Sequence, residues 1–172
     1  AAFYIQQNKS DEDHMLLVLA ADHSIENNAA FHATINNAIE YAIADKLVTF
    51  GVLPVSPNTG YGYIKASSSH EDKSVMNVEC FEEKPDQNTA NEYFAENTSM
   101  IAQNSSPRWY WNGGMFLFKA KTLLNELSKH GEDVLIAAKK SVASAKLDLD
   151  FLRLDEGEFS ASPDISIDYA LM

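Results

Sequence analysis

Met15-Leu16-Leu17-Val18-Leu19-Ala20 is a continuous apolar run, and Ala21-Asp22-His23-Ser24 follows it directly. A run of this kind marks a strand expected to be buried on both faces. Over residues 28–46 the period changes. Phe31, Ile35, Ala38, Ile39, Ala42 and Ile43 recur at three- and four-residue spacing, the stripe of an amphipathic helix, and Leu47-Val48-Thr49-Phe50-Gly51-Val52 then reads as a second strand. Strand, helix and strand make a β-α-β unit whose crossover length predicts parallel strands, with ligands gathered at their carboxyl ends.

Downstream the pattern is more mixed. Thr59-Gly60-Tyr61-Gly62-Tyr63-Ile64 opens as a glycine turn and passes into a strand, and Ser67-Ser68-Ser69-His70-Glu71-Asp72-Lys73 is a polar loop. Val75-Met76-Asn77-Val78-Glu79-Cys80-Phe81 alternates as a strand, and Trp109-Tyr110-Trp111-Asn112-Gly113-Gly114-Met115-Phe116-Leu117-Phe118 reads as a loop feeding another. Helices are predicted over 88–96, 121–129 and 132–146, the second with Leu123, Leu124 and Leu127 as its buried stripe. The sum is an α/β domain around a mixed central sheet.

At 172 residues, with 45% hydrophobic and 22% charged, the chain suits one domain with a core and needs no staples. Cys80 is the only cysteine, so an internal disulfide is impossible, and its apolar surroundings predict a buried thiol. No apolar run reaches membrane-spanning length and no signal-peptide pattern is visible, so a cytoplasmic protein is expected. A net charge of −12, from 13 Lys+Arg against 25 Asp+Glu, argues against nucleic acid, which needs clustered basic residues.

Phe81-Glu82-Glu83-Lys84-Pro85-Asp86 places carboxylates and one lysine where a strand is halted by proline. Pro85 steers Lys84 toward an extended conformation, and an ammonium held there suits a phosphate, while Glu83 can accept hydrogen bonds from sugar hydroxyls. A solvated strand end of mixed charge fits the same residues. Asp22, at the end of the first strand, can cap the next segment or hold a hard cation. Zinc is disfavoured, since one Cys and five scattered His provide no second ligand pair; a single Asp with substrate phosphates and waters suits Mg²⁺.

Leu-Ala-Ala-Asp-His at 19–23, Thr-Gly-Tyr-Gly-Tyr-Ile at 59–64, Phe-Glu-Glu-Lys-Pro-Asp at 81–86, Trp-Asn-Gly-Gly-Met-Phe at 111–116 and Ser-Ile-Asp-Tyr-Ala-Leu-Met at 166–172 occur in one order over nearly the whole chain. In that order they resemble the nucleotidyltransferases that make nucleoside-diphosphate sugars, and among these the bacterial mannose-1-phosphate guanylyltransferases, including forms fused to a mannose-6-phosphate isomerase. The resemblance implies a Rossmann-like nucleotide-diphospho-sugar transferase fold with a mixed, mainly parallel sheet flanked by helices. It implies that Asp22 is a Mg²⁺ ligand, that Gly62 lets the sugar approach the backbone, that Glu83 and Lys84 bind sugar hydroxyls and sugar phosphate, and that Asn112 contacts the sugar. Gly113 stands where the family usually has Ser, a departure expected to cost one hydroxyl contact. Asp168 lies in the family's Ser-Ile-Asp-Tyr motif, either as a structural cap or in a site role.

The reaction implied is attack by a phosphate oxygen of mannose 1-phosphate on the α-phosphorus of GTP, with Asp22 and Lys84 as catalytic residues. A noncatalytic sugar-nucleotide-binding regulatory module, or a glucose-1-phosphate uridylyl- or thymidylyltransferase, is the alternative. Both ends of the chain read as cuts inside elements, so residues 1–172 are expected to be a partial nucleotidyltransferase domain. The resemblance puts a glycine- and arginine-rich triphosphate loop before residue 1 and a second Mg²⁺ aspartate after residue 172. An exposed sheet edge would favour a homo-oligomer.

Overall fold

In a computed structural model, which describes residues 1–8, 14–67 and 75–171, helices and strands alternate as the sequence periods require. The elements are α1 (Ala2–Asn8), β1 (Met15–Val18), α2 (Asn28–Ile43), β2 (Val48–Val52), β3 (Tyr63–Ala66), β4 (Val78–Glu82), α3 (Gln87–Ala102) and β5 (Trp109–Lys119). They continue with α4 (Ala120–His130), α5 (Glu132–Ala143), β6 (Lys146–Asp148), β7 (Phe151–Arg153), α6 (Glu156–Ser160) and α7 (Ile167–Leu171). Of the polar loop expected at Ser67–Lys73, residues 68–73 lie outside the described residues. No helix among the described residues is long and apolar enough to cross a membrane.

The α/β class stands, with a different pairing. β1 and β2 are not neighbours; each pairs with β5, and the sheet runs β1-β5-β3-β4 with β2 also against β5. Every pairing with a defined register is antiparallel: β2 with β5, β3 with β5, and β3 with β4. The crossover helix keeps β1 and β2 in one sheet, but the 11-residue β5 supplies the hydrogen-bond partners that the local pattern assigned to each other.

By contact the chain divides into two compact units, Leu17–Ala44 with Val48–Leu117, and Ala1–Leu16 with Asp45–Leu47 and Phe118–Met172. In the first, α2 lays Ala38 and Ala42 against its neighbours, and β2 is the element it meets. One face of the sheet carries Tyr63, Trp109 and Trp111, and α3 closes over it with Ala90 and Tyr93. Tyr63 is fully buried, and the Tyr93 and Trp109 rings stack with centroids 3.5 Å apart. Tyr93 donates its phenolic hydrogen bond to Glu82; burial first, then that carboxylate, push its pKa above the ordinary tyrosine value.

Asn97 of α3 fixes where β5 begins. Its Nδ2 donates to the Trp109 carbonyl at 2.7 Å, and its Oδ1 accepts from the Arg108 and Trp109 amides, each at 3.0 Å. Three backbone groups thus depend on one buried side chain. Asn97→Leu fills the space but leaves them unsatisfied, so it is expected to destabilise the protein by about 2–4 kcal/mol. A urea midpoint unchanged from the parent would show that these bonds contribute nothing.

In the second unit α4 packs on α1, α5 and α7, and α5 on α6. Its buried apolar residues include Ala2, Phe118, Ala120, Leu127, Ala137 and Ala170. Thr122 and Lys119 both donate to Asp45 Oδ1, at 2.9 and 3.1 Å, and hold its carboxyl below the ordinary aspartate range, the Thr122 bond contributing most. β6 and β7 form an exposed antiparallel hairpin where the helical reading of 132–146 had continued; α5 ends at Ala143. Ser162-Pro163 precedes α7, and Ser166 Oγ accepts from the Tyr169 amide at the helix entrance.

Two burial expectations are corrected. Leu17 and Val18 of β1 are exposed along with Leu19, because the described sheet gives this strand β5 as its partner and no further one. Cys80 is exposed rather than buried, since among the described residues β4 ends the sheet and pairs only with β3.

Candidate active site

The residues opposite the α3-covered face form a row. Alternation along β5 puts Tyr110 and Asn112 on the face away from Trp109 and Trp111. Gly51 of β2 pairs with Asn112, and the Asn112 amide donates to the Gly62 carbonyl at 2.8 Å. Past Gly62 comes Glu83: a Cβ built on Gly62 would stand 2.6 Å from Glu83 Oε2 and 2.9 Å from the Phe81 ring. Glu83 just after β4, Gly62 just before β3, Asn112 in β5 and Gly51 in β2 therefore follow one another, from residues up to 61 positions apart in the chain.

Lys84 lies beside this row, its Nζ 3.5 Å from Glu83 Oε1. The Lys84 side chain is 64% exposed and that of Glu83 22%, so an anion arriving from solvent meets the lysine first and the carboxylate below it. The expected extended backbone is not what Lys84 adopts. Its φ is +46°, in the left-handed region. Proline disfavours the right-handed helical region for its predecessor, and the chain must reverse at once, since Asp86 already caps α3 by accepting from the Thr89 amide at 2.8 Å. A left-handed lysine is strained by about 1–2 kcal/mol, a common condition of functional positions.

Asn112 sits at a bulge. Thr49 pairs with Phe116 and Gly51 with Asn112, so two steps on β2 answer four on β5, and Gly113, Gly114 and Met115 absorb the excess. Gly114 has φ +62°, and a Cβ on Gly113 would come within 2.7 Å of the Phe50 carbonyl oxygen. The absence of the family's serine at 113 thus has a local reason: the backbone of β2 passes where its side chain would begin. Asn112 Oδ1 accepts from Thr49 Oγ1 at 3.1 Å and from the Gly114 amide at 3.2 Å. Thr49 was not among the residues expected from sequence; its one signal there was a hydroxyl within the apolar run Val48-Thr49-Phe50.

Asp22 occupies the exposed turn after β1. It is not the cap of α2: Asn27 holds that position, its Oδ1 accepting from the Ala30 amide at 3.0 Å. Its carboxylate remains a hard oxygen donor at a strand's carboxyl end. Among the described residues no three His, Cys, Asp or Glu side chains form a metal cluster. That donor set fits a cation that takes one protein carboxylate and draws its remaining oxygens from phosphate and water, as Mg²⁺ does. Asp168 lies in the first turn of α7, in the other compact unit from Asp22, Gly62, Glu83, Lys84 and Asn112. With Ser166 bonded at the helix entrance, Asp168 contributes there as a first-turn acid rather than as the cap.

Compared with known proteins, residues 1–168 match the nucleotidyl transferase family model. The whole chain is 44% identical to mannose-1-phosphate guanylyltransferase RfbM of Salmonella typhimurium and 43% identical to the mannose-1-phosphate guanylyltransferase of Escherichia coli K12, covering 34% of each. It is 44% identical over 168 residues to xanthan biosynthesis protein XanB of Xanthomonas campestris, again covering a third of it. The chain therefore spans about a third of the length of these curated relatives. Among solved structures, one described as mannose-6-phosphate isomerase from Helicobacter pylori superposes over 99% of the chain and 61% of its own, with a TM-score of 0.79 and 34% identity. A Thermus thermophilus structure described as mannose-1-phosphate geranyltransferase gives 0.75 at 28% identity, over 99% of this chain and 44% of its own.

Proposed function

The chain belongs to the nucleotidyl transferase family, and from that premise we propose that the full-length protein makes GDP-mannose and pyrophosphate from GTP and mannose 1-phosphate. The observation that carries the reading is the row Glu83–Gly62–Asn112 with Lys84 at its end. Gly62 leaves the backbone bare, Glu83 provides acceptors for sugar hydroxyls, and Lys84 provides the cation for the sugar phosphate. The choice of mannose and guanine is supported by the names of relatives that align over the whole chain.

In this reading no protein nucleophile is needed. Lys84 binds and orients the sugar phosphate so that its oxygen faces the α-phosphorus, and Glu83 and Asn112 hold the ring against rotation about that anchor. Asp22 would hold Mg²⁺, which when bound supplies charge neutralisation for the phosphates. The xanthan biosynthesis relative supports use of the product in polysaccharide assembly. A cytoplasmic location agrees with substrates that are charged phosphates.

The test is an assay of the full-length protein with GTP, mannose 1-phosphate and Mg²⁺. Formation of GDP-mannose with one pyrophosphate released per turnover is expected, at a kcat/KM well above that with glucose 1-phosphate and UTP or dTTP. Binding of the sugar nucleotide without turnover would overturn the enzyme reading in favour of a regulatory module.

A further inference from the structure

We infer that Tyr93 is a positioning residue of the sugar-phosphate site, holding Glu82 on the α3 side of β4 so that Glu83, and not its neighbour, is the carboxylate set beside Lys84. The inference rests on the placement of Glu83 and Lys84 at that site, proposed above. β4 runs out into two adjacent glutamates, Glu82 and Glu83. Successive side chains of a strand point to opposite faces, so a slip of one residue would exchange them. Tyr93 tells the two apart, because its phenol, from α3, donates to Glu82. Glu82 pairs across the sheet with Tyr63, whose buried ring lies 5.5 Å from that of Tyr93 on the face that α3 covers. Glu83 is left to the other face, its Oε2 2.6 Å from where a Cβ on Gly62 would stand, with the Phe81 ring beside it.

The phenol is itself fixed in place. The Tyr93 ring stacks on Trp109 with centroids 3.5 Å apart and planes 13° from parallel, and the Trp109 indole is held in turn by donating from Nε1 to Glu96 at 2.7 Å. The same helix holds the far side of the turn, where Asp86 accepts from the Thr89 amide. Glu83, Lys84 and Pro85 thus span between two anchors on α3, one at Glu82 and one at Asp86, and the left-handed reversal at Lys84 is held from both sides. A carboxylate and an ammonium kept 3.5 Å apart give a sugar hydroxyl a fixed acceptor and a sugar phosphate a fixed cation. Loss of the Glu82 anchor frees the strand side of this turn, and the cost falls on the ligand that both groups must meet together.

The full-length enzyme tests this with Tyr93→Phe, which keeps the ring stack and removes only the hydroxyl. KM for mannose 1-phosphate is expected to rise by roughly three- to tenfold, with kcat and the KM for GTP within about twofold. Glu82→Gln keeps an oxygen acceptor for the phenol and should stay near the parent. Glu82→Ala should match Tyr93→Phe, and the double variant should be no worse than either alone. A Tyr93→Phe enzyme that melts lower but keeps the parent KM for mannose 1-phosphate, or effects of the two substitutions that simply add, would overturn the positioning role. Glu83→Ala separates this from the site itself: if it impairs sugar-phosphate kinetics while Tyr93→Phe does not, the site stands and Tyr93 has no part in it. Unchanged kinetics in Glu83→Ala would overturn the placement of Glu83, and the inference with it. Should Tyr93→Phe fail to fold, Glu82→Ala against Glu82→Gln carries the same comparison.

Discussion

Asp22→Ala in the full-length protein is expected to lower kcat with mannose 1-phosphate and GTP on the order of a thousandfold while the melting temperature stays within a degree or so of the parent. The two halves of this result have separate causes. Stability is spared because the carboxylate lies in an exposed turn and caps nothing; Asn27 caps α2. Activity is lost because a single carboxylate that anchors a phosphate-bound cation has no substitute: no cluster of acids or histidines stands nearby to replace it among the described residues. Asp22→Glu, with the same charge on a longer stem, should recover only part of the rate. Near-normal kcat for Asp22→Ala would remove Asp22 from the metal site.

Lys84 gives the second large effect, and here activity and stability move in opposite directions. Lys84→Met keeps most of the stem and loses the charge-assisted contact, so kcat/KM for mannose 1-phosphate should fall by roughly ten- to a hundredfold with a much smaller change in KM for GTP. Lys84→Arg should also be impaired, because a planar fork does not replace a compact ammonium. Lys84→Gly loses the same contact but relieves the left-handed strain at φ +46°. After the extra unfolded-state entropy of glycine is subtracted, it should be more stable than the parent by about 0.5–1 kcal/mol. A less active but more stable glycine variant is the signature of strain kept for function. Unchanged sugar-phosphate kinetics in Lys84→Met would remove the Glu83–Lys84 pair from the substrate site, and a destabilised Lys84→Gly would show that the lysine side chain, not the bend, holds this turn.

Most elements could be read from the chain, because helix and strand periods are local. The stripe through Ala38 and Ala42 gives α2, the leucines of 121–129 give α4, and the proline after Lys84 ends β4. The short β6–β7 hairpin escaped because three residues carry too little period to separate from the end of a helix. The candidate site residues were legible as short motifs in a fixed order, and Gly62, Glu83, Lys84 and Asn112 lie in one compact unit. Thr49 was not, since a lone threonine in an apolar strand announces a hydroxyl and says nothing of its partner.

What the sequence determined by itself was the set of elements, the α/β class and the family, each resting on patterns within about twenty residues. Tertiary structure alone decided that β5 takes the place between strands that the β-α-β pattern had made neighbours, and that Lys84 turns left-handed instead of extended. It alone decided that Gly62 clears the row between Glu83 and Asn112, and that the Thr49 hydroxyl meets the oxygen of the Asn112 amide. The Lys84 turn answers to its own neighbours, the proline after it and the cap of α3. The others each depend on a hydrogen-bond or steric partner brought by another strand from far along the chain, and a local pattern specifies that a group needs a partner without specifying which one it receives.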